Sequence, residues 1–253
     1  MDLSTLAAPA FTSLDGSTQA IAAACYMTIG VAAWVRARSD IRTRVFLAFA
    51  LSNLVVLGIP TIWWLRGTTN QTKLPAAATT AMMAALGVGA LLLFHFTQVF
   101  PRRRPWIRTS GAQMAIAYCL TPIVIGGLVR FVPASSDALT APYVLALLVF
   151  GFPLMVLLGF VVPVAAIVSL VRSRRDVQEA GLAHLKRPIE WLLISQVAGG
   201  ALAILFAPLV AVLAPHSLAQ SVLTLSIWAL GLLTPIAYAA AVWKYGVLAV
   251  KPD

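Results

Sequence analysis

Apolar residues run in seven long blocks along this chain of 253 residues, with short polar connections between them. Read to within a few residues, the blocks are 18–35, 45–65, 75–100, 112–131, 143–170, 189–214 and 218–242. At about 1.5 Å of rise per residue, each crosses most or all of a hydrocarbon core roughly 30 Å thick. Backbone groups in lipid find no water, so each block must satisfy its own N–H and C=O groups as a helix. The pattern predicts an all-α fold: one seven-transmembrane-helix bundle over residues 1–253, a polytopic membrane protein with no second domain. The connections at 66–74, 132–142 and 215–217 are short, polar or proline-containing. The longest, 171–188, is expected to continue the fifth helix beyond the membrane before the chain turns back.

Charge orients the bundle. Fifteen of the eighteen Lys and Arg fall in the first, third and fifth connections or after the last block; Arg66, Lys73 and Arg130 fall on the other side. Positive charge stays in the cytoplasm, so the N-terminus is expected outside and the C-terminus inside. Only 10% of residues are charged, against about a quarter in soluble domains. The net charge of +10 is accounted for by arginines flanking the spans, which suit anionic lipid on the cytoplasmic side and not nucleic acid. Residues 1–16 lack a basic stretch ahead of an apolar run. The first block is therefore expected to be the insertion signal itself and not a cleaved signal peptide.

Several residue types refine this picture. Trp34, Trp106, Trp191 and Trp243 fall at cytoplasmic borders and Trp63 and Trp64 at an outer one, where an indole keeps its ring apolar and its N–H wet. Ala81, Ala85 and Gly89 share one face of the third block, and Ser195, Gly199, Ala203 and Ala207 one face of the sixth. Such faces let helices approach closely within the bundle or across a dimer. Pro60, Pro122, Pro153, Pro163, Pro208 and Pro235 each remove a backbone donor and kink a span. Cys25 and Cys119 lie inside spans and read as small packing residues.

The chemistry is sparse. No Asp or Glu lies near the middle of a span, which argues against a proton pump, a carboxylate antiporter or an aspartyl membrane protease. The last block has no interior lysine to carry a retinal Schiff base. His95, His184 and His216 show neither HxxH nor HExxH spacing, so no metal or haem is indicated. No cofactor and no enzymatic activity are expected. The candidate intramembrane polar or cavity residues are Asn53, His95, Gln98, Gln113, Gln196, Trp228 and Tyr238. In lipid the polar ones need partners, which neighbouring helices or a polar ligand can supply. Trp228 reads as packing or as a cavity wall.

Three stretches carry a resemblance. His95-Phe96-Thr97-Gln98-Val99-Phe100-Pro101 runs into Arg102-Arg103-Arg104-Pro105-Trp106. A basic approach to the sixth block reads His184-Leu185-Lys186-Arg187-Pro188-Ile189-Glu190-Trp191-Leu192-Leu193. Pro235-Ile236-Ala237-Tyr238-Ala239 leads to Val242-Trp243-Lys244-Tyr245-Gly246-Val247-Leu248. Together these resemble the N-terminal seven-transmembrane sensor region of bacterial histidine kinases. The resemblance implies a bacterial inner-membrane sensor or signal-relay module. That family's output domain begins just after the position of Leu248, whereas this chain stops at Asp253, so the expectation is a sensor without its own catalytic domain. The rival expectations are a structural or assembly subunit of a larger membrane complex, and a transporter or lipid-handling protein. A sensor of this kind would hand its signal to a separate protein or a second copy of itself. The candidate contacts for such a partner, or for lipid headgroups, are Arg102, Arg103, Arg104, Arg172, Arg174 and Arg175.

Overall fold

The computed structural model describes residues 3–65, 76–102, 107, 111–130, 147–198 and 231–249. Among these the chain is helical, with no strand. The helices are α1 (Leu3–Arg36), α2 (Ile41–Leu65), α3 (Ala76–Val99), α4 (Gly111–Arg130), α5 (residues 147–179), α6 (residues 186–198) and α7 (Leu233–Ala239, running on through Ala240–Lys244). Four helices are long and apolar enough to cross a membrane, over Ser17–Arg36, Ile41–Ile62, Ala77–Val99 and Val149–Glu179; Gly111–Gly127 is a shorter apolar helix. Large apolar side chains such as Ile21, Ile62, Leu86, Ile123, Phe150 and Phe160 point outward from the bundle. A water-soluble fold would bury such residues; a lipid-facing surface consists of them. This is the architecture of a helical membrane protein. The remainder of the sixth and the first half of the seventh sequence block lie outside the described residues.

α3 is the central element. It packs against α2, α4 and α5, while α1 packs between α2 and α7. Small residues set these approaches. A Cβ on Gly87 would fall 2.6 Å from Ile125 Cδ1 and 2.9 Å from Thr121 Cγ2, both on α4, and 3.2 Å from Leu158 Cδ1 on α5. The predicted small face of α3 meets α2, where Ser52 Oγ donates to the Ala85 carbonyl. A Cβ on Gly89 would crowd that Ser52 oxygen at 2.7 Å. On α6, Ser195 is buried and donates to the Leu192 carbonyl of its own helix.

α5 is continuous but not uniform. π-helical turns at Leu147–Gly151 and Leu157–Val161 each precede an α-helical stretch with proline in its first turn, Pro153 and Pro163. Proline lacks an N–H, and its ring collides with the carbonyl four residues back. A wider turn accommodates both defects without breaking the helix. The backbone stays right-handed across the junctions, with φ −70° and ψ −49° at Gly151 and φ −65° and ψ −45° at Val161. Past the apolar part, α5 buries Ala166, Ser169, Leu170, Ser173 and Val177 at helical spacing. It then ends as expected beyond its apolar part, at Glu179. Gly181, at φ 72°, lets the Leu182 N–H reach the Val177 carbonyl at 3.0 Å and its own N–H reach Gln178 at 3.2 Å. That pair of bonds satisfies the last carbonyls of the helix.

Gly87 supplies a test of the α3 packing. Gly87→Val should lower the thermal midpoint in detergent well below that of Gly127→Val, since no atom lies within 4 Å of a Cβ at Gly127. Both place a β-branched residue in a helix, so the difference isolates overpacking, about 1–3 kcal/mol. Equal midpoints would refute the close contact of α3 with α4 and α5.

Candidate functional site

The functional candidates gather at the end of the bundle where α1 stops, α2 starts and α7 leaves. The turn between α1 and α2 is closed by its own backbone: Ala37 N–H bonds to the Ala33 and Trp34 carbonyls, and Asp40 N–H to Ala37. Asp40 then caps α2, its Oδ1 accepting the Arg42 N–H at 2.8 Å. An acidic cap satisfies an otherwise orphaned donor and favours the positive end of the helix dipole.

Arg42 follows the cap by two residues, and its side chain is fully buried. Its Nη2 lies 2.6 Å from Asp40 Oδ2, and its Nε donates to both carboxylate oxygens at 3.0 and 3.1 Å. Its Nη1 donates to two backbone carbonyls, Pro101 at 2.7 Å and Val247 at 2.9 Å. One guanidinium thus ties together the start of α2, the segment after α3 and the segment after α7. The planar fork of five N–H donors makes this possible; a lysine ammonium has three and no fork. A buried charge is tolerated only when paired and hydrogen-bonded, and Asp40 with the two carbonyls meets both conditions. The count of positive charges assigned Arg42 to the basic surface. The structure removes it from that surface, because its charge is neutralised by Asp40 inside the protein.

Above this node lies an aromatic cluster joining α1, α2, α3 and α7. Tyr238 stacks on Phe46 with ring centroids 3.7 Å apart and meets Phe96 edge-on at 5.2 Å. Tyr26 meets Phe49 edge-on at 5.7 Å. The Tyr238 hydroxyl is buried with no hydrogen-bond partner among the described residues. The Tyr26 hydroxyl donates to the Gly231 carbonyl at 2.9 Å. Gly231 stands four residues before Pro235, so its carbonyl is one that proline leaves without a helical donor. The same logic recurs at Pro101: four residues earlier the Thr97 carbonyl accepts Ser169 Oγ from α5 at 3.2 Å. Proline thus creates an acceptor, and a hydroxyl on a neighbouring helix fills it.

The residues singled out from sequence are distributed unevenly around this core. Tyr238 is in it, and Gln98 is buried near the same end of α3. His95 Nδ1 meets the Tyr118 hydroxyl of α4 at 2.7 Å. Gln196 Nε2 donates to Thr234 Oγ1, joining α6 to α7 at 3.1 Å. Asn53 instead bonds to the Phe49 carbonyl of its own helix. Gln113 is exposed at the start of α4 and takes no part in the interior. Trp228, Arg103 and Arg104 lie outside the described residues. Arg102, Arg172 and Arg175 are exposed, while Arg174 forms an ion pair with Glu190 on α6 at 2.9 Å. No cluster of metal-binding side chains occurs among the described residues. Sequence reasoning missed Asp40, Arg42, Tyr26 and Ser169. Two signals pointed to them: an Asp directly before a helix, and each carbonyl four residues ahead of a proline.

Three substitutions separate these interactions. Tyr26→Phe strands the Gly231 carbonyl and should cost about 1–3 kcal/mol. Tyr238→Phe deletes a hydroxyl that has no partner among the described residues and should cost nothing or stabilise. Arg42→Met leaves Asp40 and two carbonyls buried and should cost about 3–5 kcal/mol. Thermal or denaturant unfolding in detergent reads all three; a Tyr238→Phe loss equal to that of Tyr26→Phe would contradict the assignment of partners. Neither a protein-family model nor a curated protein matches this chain.

Proposed function

We propose that this chain is a membrane-embedded sensor or signal-relay module. It spans the bacterial inner membrane seven times, with the N-terminus outside and the C-terminus in the cytoplasm. The observation carrying the reading is the attachment of the segment after α7. The Val247 carbonyl rests on a buried guanidinium that also holds the segments after α1 and α3. In a sensor of the kind this sequence resembles, the end of the seventh helix is where a movement leaves the membrane domain. The ring contacts that join α1, α2, α3 and α7 support a packed route for such a movement. The module has no catalytic step of its own and passes its signal to a separate protein or to a second copy.

The arginines support the orientation. Arg36, Arg38, Arg44, Arg102, Arg172, Arg175 and Arg187 are exposed, and Arg38 lies over the Trp34 ring at 5.1 Å. Trp191 and Trp243 are exposed near the same end. Exposed Arg interleaved with Trp suits an anionic headgroup region. The same face offers a partner a basic surface, without Arg42.

Two measurements decide. Reporter fusions after Asp253 and within 102–108 should report cytoplasm, and one within 135–140 should report the outside; an inverted pattern rejects the orientation. Purification in mild detergent should yield a bound small molecule or a loosely held signalling protein. An equimolar integral-membrane partner would favour an assembly subunit instead, and solute flux in proteoliposomes a transporter.

A further inference from the structure

The segment after α7 carries little regular structure of its own. α7 ends in a π turn at Ala240–Lys244, closed by the Tyr245 N–H on the Ala240 carbonyl at 3.2 Å. Gly246 follows at φ 61°, a left-handed conformation open to glycine without cost. Then comes a single 3₁₀ turn, Val247–Ala249, held by one backbone bond from the Ala249 N–H to the Gly246 carbonyl at 2.9 Å. A turn this short has little stability of its own. Among the described residues three things hold it: burial of the Val247 side chain, packing of the half-buried Leu248 on the core, and the bond from Arg42 Nη1 to the Val247 carbonyl.

Arg42 is arranged asymmetrically for this task. Its charge is met by Asp40, two residues away on the same turn, and its Nη1 keeps the Pro101 carbonyl as a second acceptor. Loss of Val247 would therefore leave the guanidinium neutralised and still bonded. Loss of Asp40 would leave a bare buried charge. The two carbonyl bonds can thus be lost without stranding the charge, and of the two the one to Val247 is the longer, 2.9 Å against 2.7 Å.

We propose that Arg42 is a latch on that segment. It holds the Val247–Ala249 turn against the start of α2 and the segment after α3, and the turn releases as a unit while Arg42 stays locked to Asp40 and Pro101. The inference is independent of any signal: it applies equally if the chain is a sensor, a subunit or a transporter, and its test uses no ligand.

The test is hydrogen–deuterium exchange on the full chain in lipid nanodiscs. The first variant is Asp40→Asn with Arg42→Gln, which removes both charges together and keeps a good helix cap. The second is Val247→Gly, which loosens the turn and leaves the ion pair intact. In both, amide exchange over 245–249 should rise at least tenfold while that of 45–60 and 85–99 stays within twofold of the parent. The latch is overturned if exchange over 245–249 is unchanged in the double variant. It is equally overturned if 45–60 and 85–99 speed up along with 245–249 in either variant, since the node is then a staple of the whole bundle. A double variant that does not fold counts with that second result.

Discussion

A buried guanidinium is the constraint that fixes the end of the bundle where α2 starts and the segments after α3 and α7 meet. Arg42 cannot sit at zero exposure unless its charge and its fork of donors are met, and the residues that meet them come from three distant parts of the chain. Asp40 must precede it on a capped helix. The segment after α3 must turn so that the Pro101 carbonyl faces inward, and the segment after α7 must do the same with Val247. The aromatic rings of Phe46, Phe96 and Tyr238 close the space directly beside it. Hydrophobic drive is weak between helices already in lipid, so a charge that must be satisfied is an effective way to specify how they meet.

The same accounting governs the interior. Prolines in α3's exit, α5 and α7 release carbonyls that lipid cannot satisfy. The structure answers in two ways. Where a neighbour carries a hydroxyl at the right height, as Tyr26 and Ser169 do, the bond is made across helices. Where proline begins an α-helical stretch, as in α5, the preceding turn widens. The freed carbonyl is thus coupled to an interhelical contact at two of these sites, and the proline is accommodated by a wider turn at Pro153 and Pro163.

Helix positions were legible because lipid imposes one rule on every span: a long apolar run must be helical. The borders of α2 and α3 therefore fall close to their expected places, and α5 runs past its apolar part to Glu179. The small face of α3 was legible too, since Ala85 and Gly89 have few uses other than close approach. The node was not. An arginine between two spans satisfies the topology rule whether it is solvated or buried, and composition does not distinguish the two. Only the third dimension brings Pro101 and Val247, 59 and 205 residues away in sequence, to the same side chain. Polar residues inside spans misled for a related reason. Asn53 satisfies itself on its own helix, and Gln113 faces outward, although both looked like interhelical partners.

Order of synthesis gives the Asp40–Arg42 pair another significance. The chain emerges N-terminal end first, so Arg42 is made long before Pro101 and longer still before Val247. Without Asp40 it would spend that interval as an unpartnered cation among apolar helices. The acid two residues upstream neutralises it from the moment the turn forms. Its remaining donors then wait for carbonyls that arrive in sequence, Pro101 after α3 and Val247 after α7. Closure of the node therefore records assembly across distant segments: the arginine holds Asp40, Pro101 and Val247 together only once the chain through Val247 has been made and packed.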